Sequence, residues 1–77
     1  MKKEEFIKLF IEELEIQNED INLDTELKSI EEWDSMAAMV ILALAKTHFN
    51  VLLTNADIKE FKTVYSIINK IGLDKFE

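Results

Sequence analysis

EEWDSMAAMVILALAKTHF, residues Glu31 to Phe49, is the stretch whose reading decides the fold. Three carboxylates (Glu31, Glu32, Asp34) surround Trp33 and precede Ser35, and the ten residues from Met36 to Ala45 carry no charge. Ala38, Ile41, Leu42, Ala45 and Phe49 recur at i, i+3, i+4, i+7 and i+11, which predicts a helix over about Ser35 to Phe49 with that face buried. The opposite face, Ala37, Val40, Ala43 and Thr47, is also apolar for three turns. In so small a domain that predicts an exposed contact surface. Asp34 and Ser35 are both good N-caps, and capping alone would account for a Ser at this place. If Asp34 is the cap, Ser35 is the first helical residue, its hydroxyl free at the positive end of the helix, where a covalently attached phosphate is stabilised.

Upstream, Phe6, Ile7, Phe10, Ile11 and Leu14 line one face of a helix expected over about Lys3 to Glu15, with Glu4 and Lys8 as an i,i+4 pair. Between the two helices, Gln17 to Asp34 follows no sustained period and reads as a long loop, the kind that is often functional. Its apolar residues Ile21, Leu23, Leu27, Ile30 and Trp33 are expected to pin it to the core, with a helical turn near Thr25 to Ser29. Downstream, Thr54 with Asp57 resembles a capping box and opens a short third helix to Phe61. Thr63 caps a fourth, in which Val64, Ile67, Ile68 and Ile71 share a face and Gly72 stands where a left-handed residue closes the helix. The expected fold is all-α: one four-helix domain over residues 1–77, with a long first loop and a short third helix. The expected core is Phe6, Phe10, Ile11, Leu14, Leu27, Ile41, Leu42, Phe49, Ile58, Val64, Ile68 and Ile71.

Composition removes most functional classes. The 77 residues carry a net charge of -7, with nine scattered lysines and no arginine, which argues against a nucleic-acid partner. MKKEEF lacks the apolar stretch of a signal peptide and no run is long enough for a bilayer span, so a soluble cytoplasmic protein without membrane attachment is expected. There is no Cys, one His and one Gly. Neither a zinc-thiolate site nor a phosphate-cradling glycine loop can be built. Ser35 and His48, thirteen residues apart on one helix, stand about 20 Å apart, beyond any nucleophile–base contact. His48 is expected to be a helix-end residue near the C-terminal dipole. The residues predict no enzyme.

One loop pattern points elsewhere. Asp20, Asn22, Asp24 and Glu31 fall at positions one, three, five and twelve of a calcium-loop template, but position six, where the turn wants glycine, is Thr25. On that reading the chain is an acidic helical binding module in which Ser35 is only a cap.

The segments LDTELKSIEEWDSM, THFNVLLTNADI and EFKTVYSIINKI, within Leu23 to Ile71, resemble the acyl carrier protein family. In that family the Ser of a D-S-L or D-S-M motif is esterified by 4'-phosphopantetheine from coenzyme A. Asp34-Ser35-Met36 matches the motif, at the start of the second of four helices. The resemblance implies that Ser35 accepts the arm, that Asp34 shapes the helix start and meets the phosphopantetheinyl transferase, and that Met36 borders the attachment point. It implies a monomeric carrier and substrate, not a catalyst, whose partners are that transferase and acyl-loading and acyl-transferring enzymes. Its cargo would travel as thioesters in fatty acid, lipid, polyketide or polysaccharide synthesis, and the apolar interior would admit an acyl chain between the helices.

An aminoacyl carrier, such as one loading D-alanine, also can use DSM. Members of the family usually show several acids on the exposed face of helix two, and here that face reads Ala37, Val40, Ala43, Lys46, Thr47. Partners are therefore expected to make apolar contact with Met36, Val40 and Ala43 and to set a basic rim against Glu31 and Glu32. EEWDS looks more like free-standing carriers of specialised pathways. Trp33 is expected to anchor the loop, and Met36 and Met39 to pack, with Met36 partly exposed.

Overall fold

The structure, a computed structural model, describes residues 1–18 and 20–77. Four α-helices follow in order: α1 (Lys3–Leu14), α2 (Ser35–Phe49), α3 (Asn55–Ile58) and α4 (Val64–Ile71). Short 3-10 turns stand at Leu27–Ser29 and Leu73–Lys75. Among the described residues there is no strand, and an isolated antiparallel bridge joins Glu26 to Thr63. This is the all-α bundle that the periodicities predict.

Each boundary has a local cause. At the start of α1 the Glu5 carboxylate accepts the Lys2 backbone N–H at 2.8 Å. The helix stops one residue short of the expected Glu15, because Glu15 adopts φ 53° and its successor Ile16 donates back to the Ile11 carbonyl at 3.0 Å. Asn50 closes α2 in the same way, at φ 55°, with Val51 donating to Ala45. α3 ends at Ile58 and does not reach Phe61. From Glu60 onward the backbone bonds tighten to i→i−3, which turns Phe61 into the core. Thr63 and Ser66 cap α4 reciprocally. Gly72 has φ 124° and ψ 119°, a positive-φ conformation outside the expected left-handed helical one. Glu4 and Lys8 form no ion pair.

The first loop is pinned in two ways. Ile21, Leu27 and Ile30 are buried, while Leu23 and Trp33 pack half-buried against the core, Trp33 stacking on Phe10 at 6.1 Å. Its backbone also pairs with the entry to α4: Leu27 N–H donates to the Lys62 carbonyl, Val64 to Thr25 and Tyr65 to Leu23. Glu32 accepts the Gln17 N–H at 3.0 Å and ties the two ends of the loop together. From Ile21 to Asp34 the chain is thus held by side chains and by backbone bonds despite its lack of regular structure.

The core departs from expectation at several positions. Phe6, Phe10, Leu27, Ile41, Val64, Ile68 and Ile71 are buried as expected, whereas Ile11, Leu14, Leu42, Phe49 and Ile58 are half-buried around them. Ala37, assigned to the exposed face of α2, is only 5% exposed, and Leu44 is buried with it. Phe76 enters the core from beyond α4 and meets Phe6 edge-on at 5.7 Å and Phe49 at 5.0 Å. No helix is long and apolar enough to cross a membrane among the described residues.

Candidate functional site

Asp34 has extended backbone (φ −149°, ψ −172°) and its Oδ1 accepts the Ala37 N–H at 2.8 Å, while its carbonyl accepts Ala38 N–H. This is a complete side-chain N-cap. Ser35 is thereby released from capping: it is the first helical residue and exposed, and its Oγ has no hydrogen-bond partner among the described residues. The N–H groups of Ser35 and Met36 likewise have no acceptor among the described residues, so the positive end of a fifteen-residue helix opens beside the hydroxyl. The donor set suits a phosphate ester: a free hydroxyl to form it, unsatisfied N–H groups and a helix dipole to hold its charge.

Around this hydroxyl the surface is apolar. Ser35, Ala38 and Met39 of α2 and Asn55, Ile58 and Lys59 at α3 line an open groove of about 440 Å³. Met36 and Met39 are 74% and 64% exposed: Met36 is exposed as expected, and Met39 is not the packing residue expected of it. Ser35 to Met39 is one turn, which puts the second methionine on the groove and leaves Met36 facing outward.

The other expected contact residues lie apart from this groove. Val40, half-buried, and Ala43, exposed, line a separate groove of about 260 Å³ with Leu44, Thr47, His48 and Glu13 of α1. Glu31 is exposed ahead of the cap, and Glu32 already serves Gln17 with one oxygen. The apolar face is thus two strips, one beside α3 and one beside α1. Sequence periodicity missed Met39, Asn55, Ile58 and Lys59 as neighbours of Ser35. The i,i+4 relation of Ser35 and Met39 was available, but no local signal shows that α3 folds back across it.

In the loop read as a calcium site, short polar side chains bond neighbouring backbone. Asn22 Oδ1 accepts the Asp24 N–H at 2.8 Å, the Asn22 N–H donates to Thr25 Oγ1, and no cluster of three His, Cys, Asp or Glu is gathered for a metal among the described residues. His48 is exposed in the last turn of α2, at the opposite end from Ser35. A family model described as phosphopantetheine attachment site matches residues 4–71. No curated protein and no solved structure gives a significant match.

Proposed function

The chain belongs to the phosphopantetheine attachment-site family, whose domains bear a covalent 4'-phosphopantetheine and are not themselves catalytic, and from that premise we propose that Ser35 bears the arm and that the protein is an acyl carrier. The observation that carries the assignment is the division of labour at the start of α2: Asp34 performs the capping, and the adjacent hydroxyl is left exposed and, among the described residues, unbonded.

In this reading Ser35 Oγ becomes bonded to the phosphorus of the pantetheine phosphate of coenzyme A, losing its proton to the transferase as adenosine 3',5'-bisphosphate departs. The N–H groups of Ser35 and Met36 and the dipole of α2 then stabilise the phosphodiester anion. Once attached, the arm supplies a terminal thiol on which cargo travels as a thioester. The chain, without cysteine, offers no competing thiol. Everything else the domain contributes is presentation: tethering turns each meeting of cargo and enzyme into an effectively intramolecular event.

Carriers of this family meet a phosphopantetheinyl transferase and acyl-handling enzymes. For this chain the docking surface is Met36 and Met39 with the Val40–Ala43 strip, its acidic edge supplied by Glu31 and by the free oxygen of Glu32. Apolar contact, with basic residues facing that edge, replaces the acid-rich helix usual in such carriers.

Intact mass after incubation with coenzyme A, magnesium and a broad-specificity phosphopantetheinyl transferase tests the assignment. The parent gains one phosphopantetheine, and Ser35→Ala gains none while retaining its helical circular dichroism. An unmodified parent, or a modified Ser35→Ala, refutes it.

A further inference from the structure

A cleft of about 470 Å³ lies outside the attachment site, between the 3-10 turn Leu27–Ser29 and the connection from α3 into α4. Leu27, Trp33 and Phe61 form its apolar walls, and Glu26, Lys28, Lys62 and Thr63 its rim. The walls are held in place: Leu27 and Phe61 belong to the buried core and Trp33 is stacked on Phe10. Backbone pairing fixes the rim as well. Leu27 N–H donates to the Lys62 carbonyl at 2.8 Å and Glu26 is bridged to Thr63, which brings Lys28 and Lys62 to one opening although they are far apart in sequence.

The charge of this opening is opposite to that of the molecule. Neither lysine enters an ion pair among the described residues, even with Glu26 on the same rim, so two lysines and one glutamate line this opening in a chain of net charge -7. The volume falls in the range of small-ligand pockets, about 300–1,000 Å³. Ser35 is close by. Trp33, on the wall, precedes it by two residues, at most about 7 Å of extended chain.

We propose that this cleft receives the far end of the tethered cargo, and that the cargo is an acyl group with an apolar body and a terminal carboxylate. The inference rests on Ser35 bearing the arm. Methylene or ring carbons lie against Leu27, Phe61 and the indole, and the carboxylate is left at the rim with Lys28 and Lys62, where it stays hydrated and charge-compensated. A cationic aminoacyl end meets two like charges at the same place and is disfavoured.

The test uses adipoyl-, hexanoyl- and 6-aminohexanoyl-coenzyme A as transferase donors, with intact mass confirming each loaded form. Backbone amide shifts and the Trp33 indole signal are then compared across the three. The adipoyl form displaces Lys28, Lys62 and Trp33 signals most and the amino form least. Exposed ion contacts favour the occupied cleft by no more than about fivefold. The double variant Lys28→Gln with Lys62→Gln still loads but makes adipoyl and hexanoyl alike. Equal displacement by all three cargoes, or displacement confined to the Ser35–Ile58 groove, overturns the proposal. Adipoyl-pantetheine added in trans to unloaded protein separates the two readings. If Ser35 fails to load, the carrier reading falls. The cleft is still supported if its signals then saturate in a lysine-dependent way, and refuted if they do not move.

Discussion

The two ends of α2 are built on opposite principles. At Phe49 the helix closes with a left-handed Asn50 whose Oδ1 also takes the Lys46 ammonium at 2.8 Å, and its last aromatic joins Phe6 and Phe76. The Lys46 and Ala45 carbonyls accept the Asn50 and Val51 N–H groups there, and apolar surface is buried. At Ser35, about 20 Å away along the axis, a side-chain cap holds the helix, two N–H groups have no acceptor among the described residues, and two methionines stand in solvent. With Ser35 as the proposed attachment site, stability and function lie at different ends of one helix. Substitutions at one end should therefore leave the other's property almost untouched.

The largest test of that separation is Phe6→Ala. Phe6 is fully buried and touches Phe10, Phe49 and Phe76, so its removal costs about 3–5 kcal/mol. Against the ~5–15 kcal/mol total typical of a domain, that lowers the thermal midpoint by more than about 12 °C. Under conditions where the variant remains folded, Ser35 should accept the arm at the parental rate. A variant as stable as the parent would remove the aromatic end as the source of stability, and slow loading by folded variant would show that the two ends are coupled.

Asp34 sharpens the comparison at the other end. Asp34→Ala deletes the bond to the Ala37 N–H and costs about 1 kcal/mol, read as a lower urea midpoint. Loading should slow by more than the small unfolded fraction explains, because Ser35 loses the neighbour that frees it from capping. Asp34→Asn keeps an acceptor at the same place and should restore most of the stability. Its loading rate then shows whether the transferase reads the carboxylate itself, and a parental rate would mean that it reads only the helix start.

How much of this was legible in the sequence follows the same division. The Asp34–Ser35 pair before an uncharged run narrowed the start of α2 to two residues, and Thr63 located that of α4, because a side-chain cap and the helix it begins are adjacent in the chain. The buried face of α2 was legible through Ala38, Ile41 and Ala45, but its width was not. A helix apolar on nearly all sides offers little contrast for a 3.6-residue period to detect, so nothing marked Ala37 and Leu44 as buried while Leu42 and Phe49 stay half-buried. Ile16, Leu53, Phe61 and Phe76 were missed for a related reason: they lie between or beyond helices, and their burial is decided by where the chain returns. The Lys28–Lys62 opening belongs to the same class, since it depends on a backbone bridge between distant segments.

The smallest expected effect concerns α3, which borders the Ser35 groove but has no part in the aromatic end. Asp57 is held below its ordinary value near 3.8, first by the Thr54 backbone N–H that its Oδ2 accepts at 2.9 Å and then by the Thr54 hydroxyl and the Lys70 ammonium. Because the folded value is the lower one, its contribution to stability is complete above the unfolded value and is lost as pH falls through the folded value. Lys70 is shifted the other way, upward, first by its bond to Glu60 at 2.7 Å, so its contribution holds below about 10.5 and fades at more alkaline pH. Acidification below pH 4 should accordingly loosen the cap of α3 and displace the amide signals of Thr54 to Ile58 before those of Phe6, Phe49 and Phe76 move. Asp57→Asn should remove that early acid step and leave the later one. If the Phe6 and Phe49 signals move together with Thr54 in the parent, the groove beside Ser35 and the aromatic end unfold as one unit, and the independence argued from the two ends of α2 does not extend to acid.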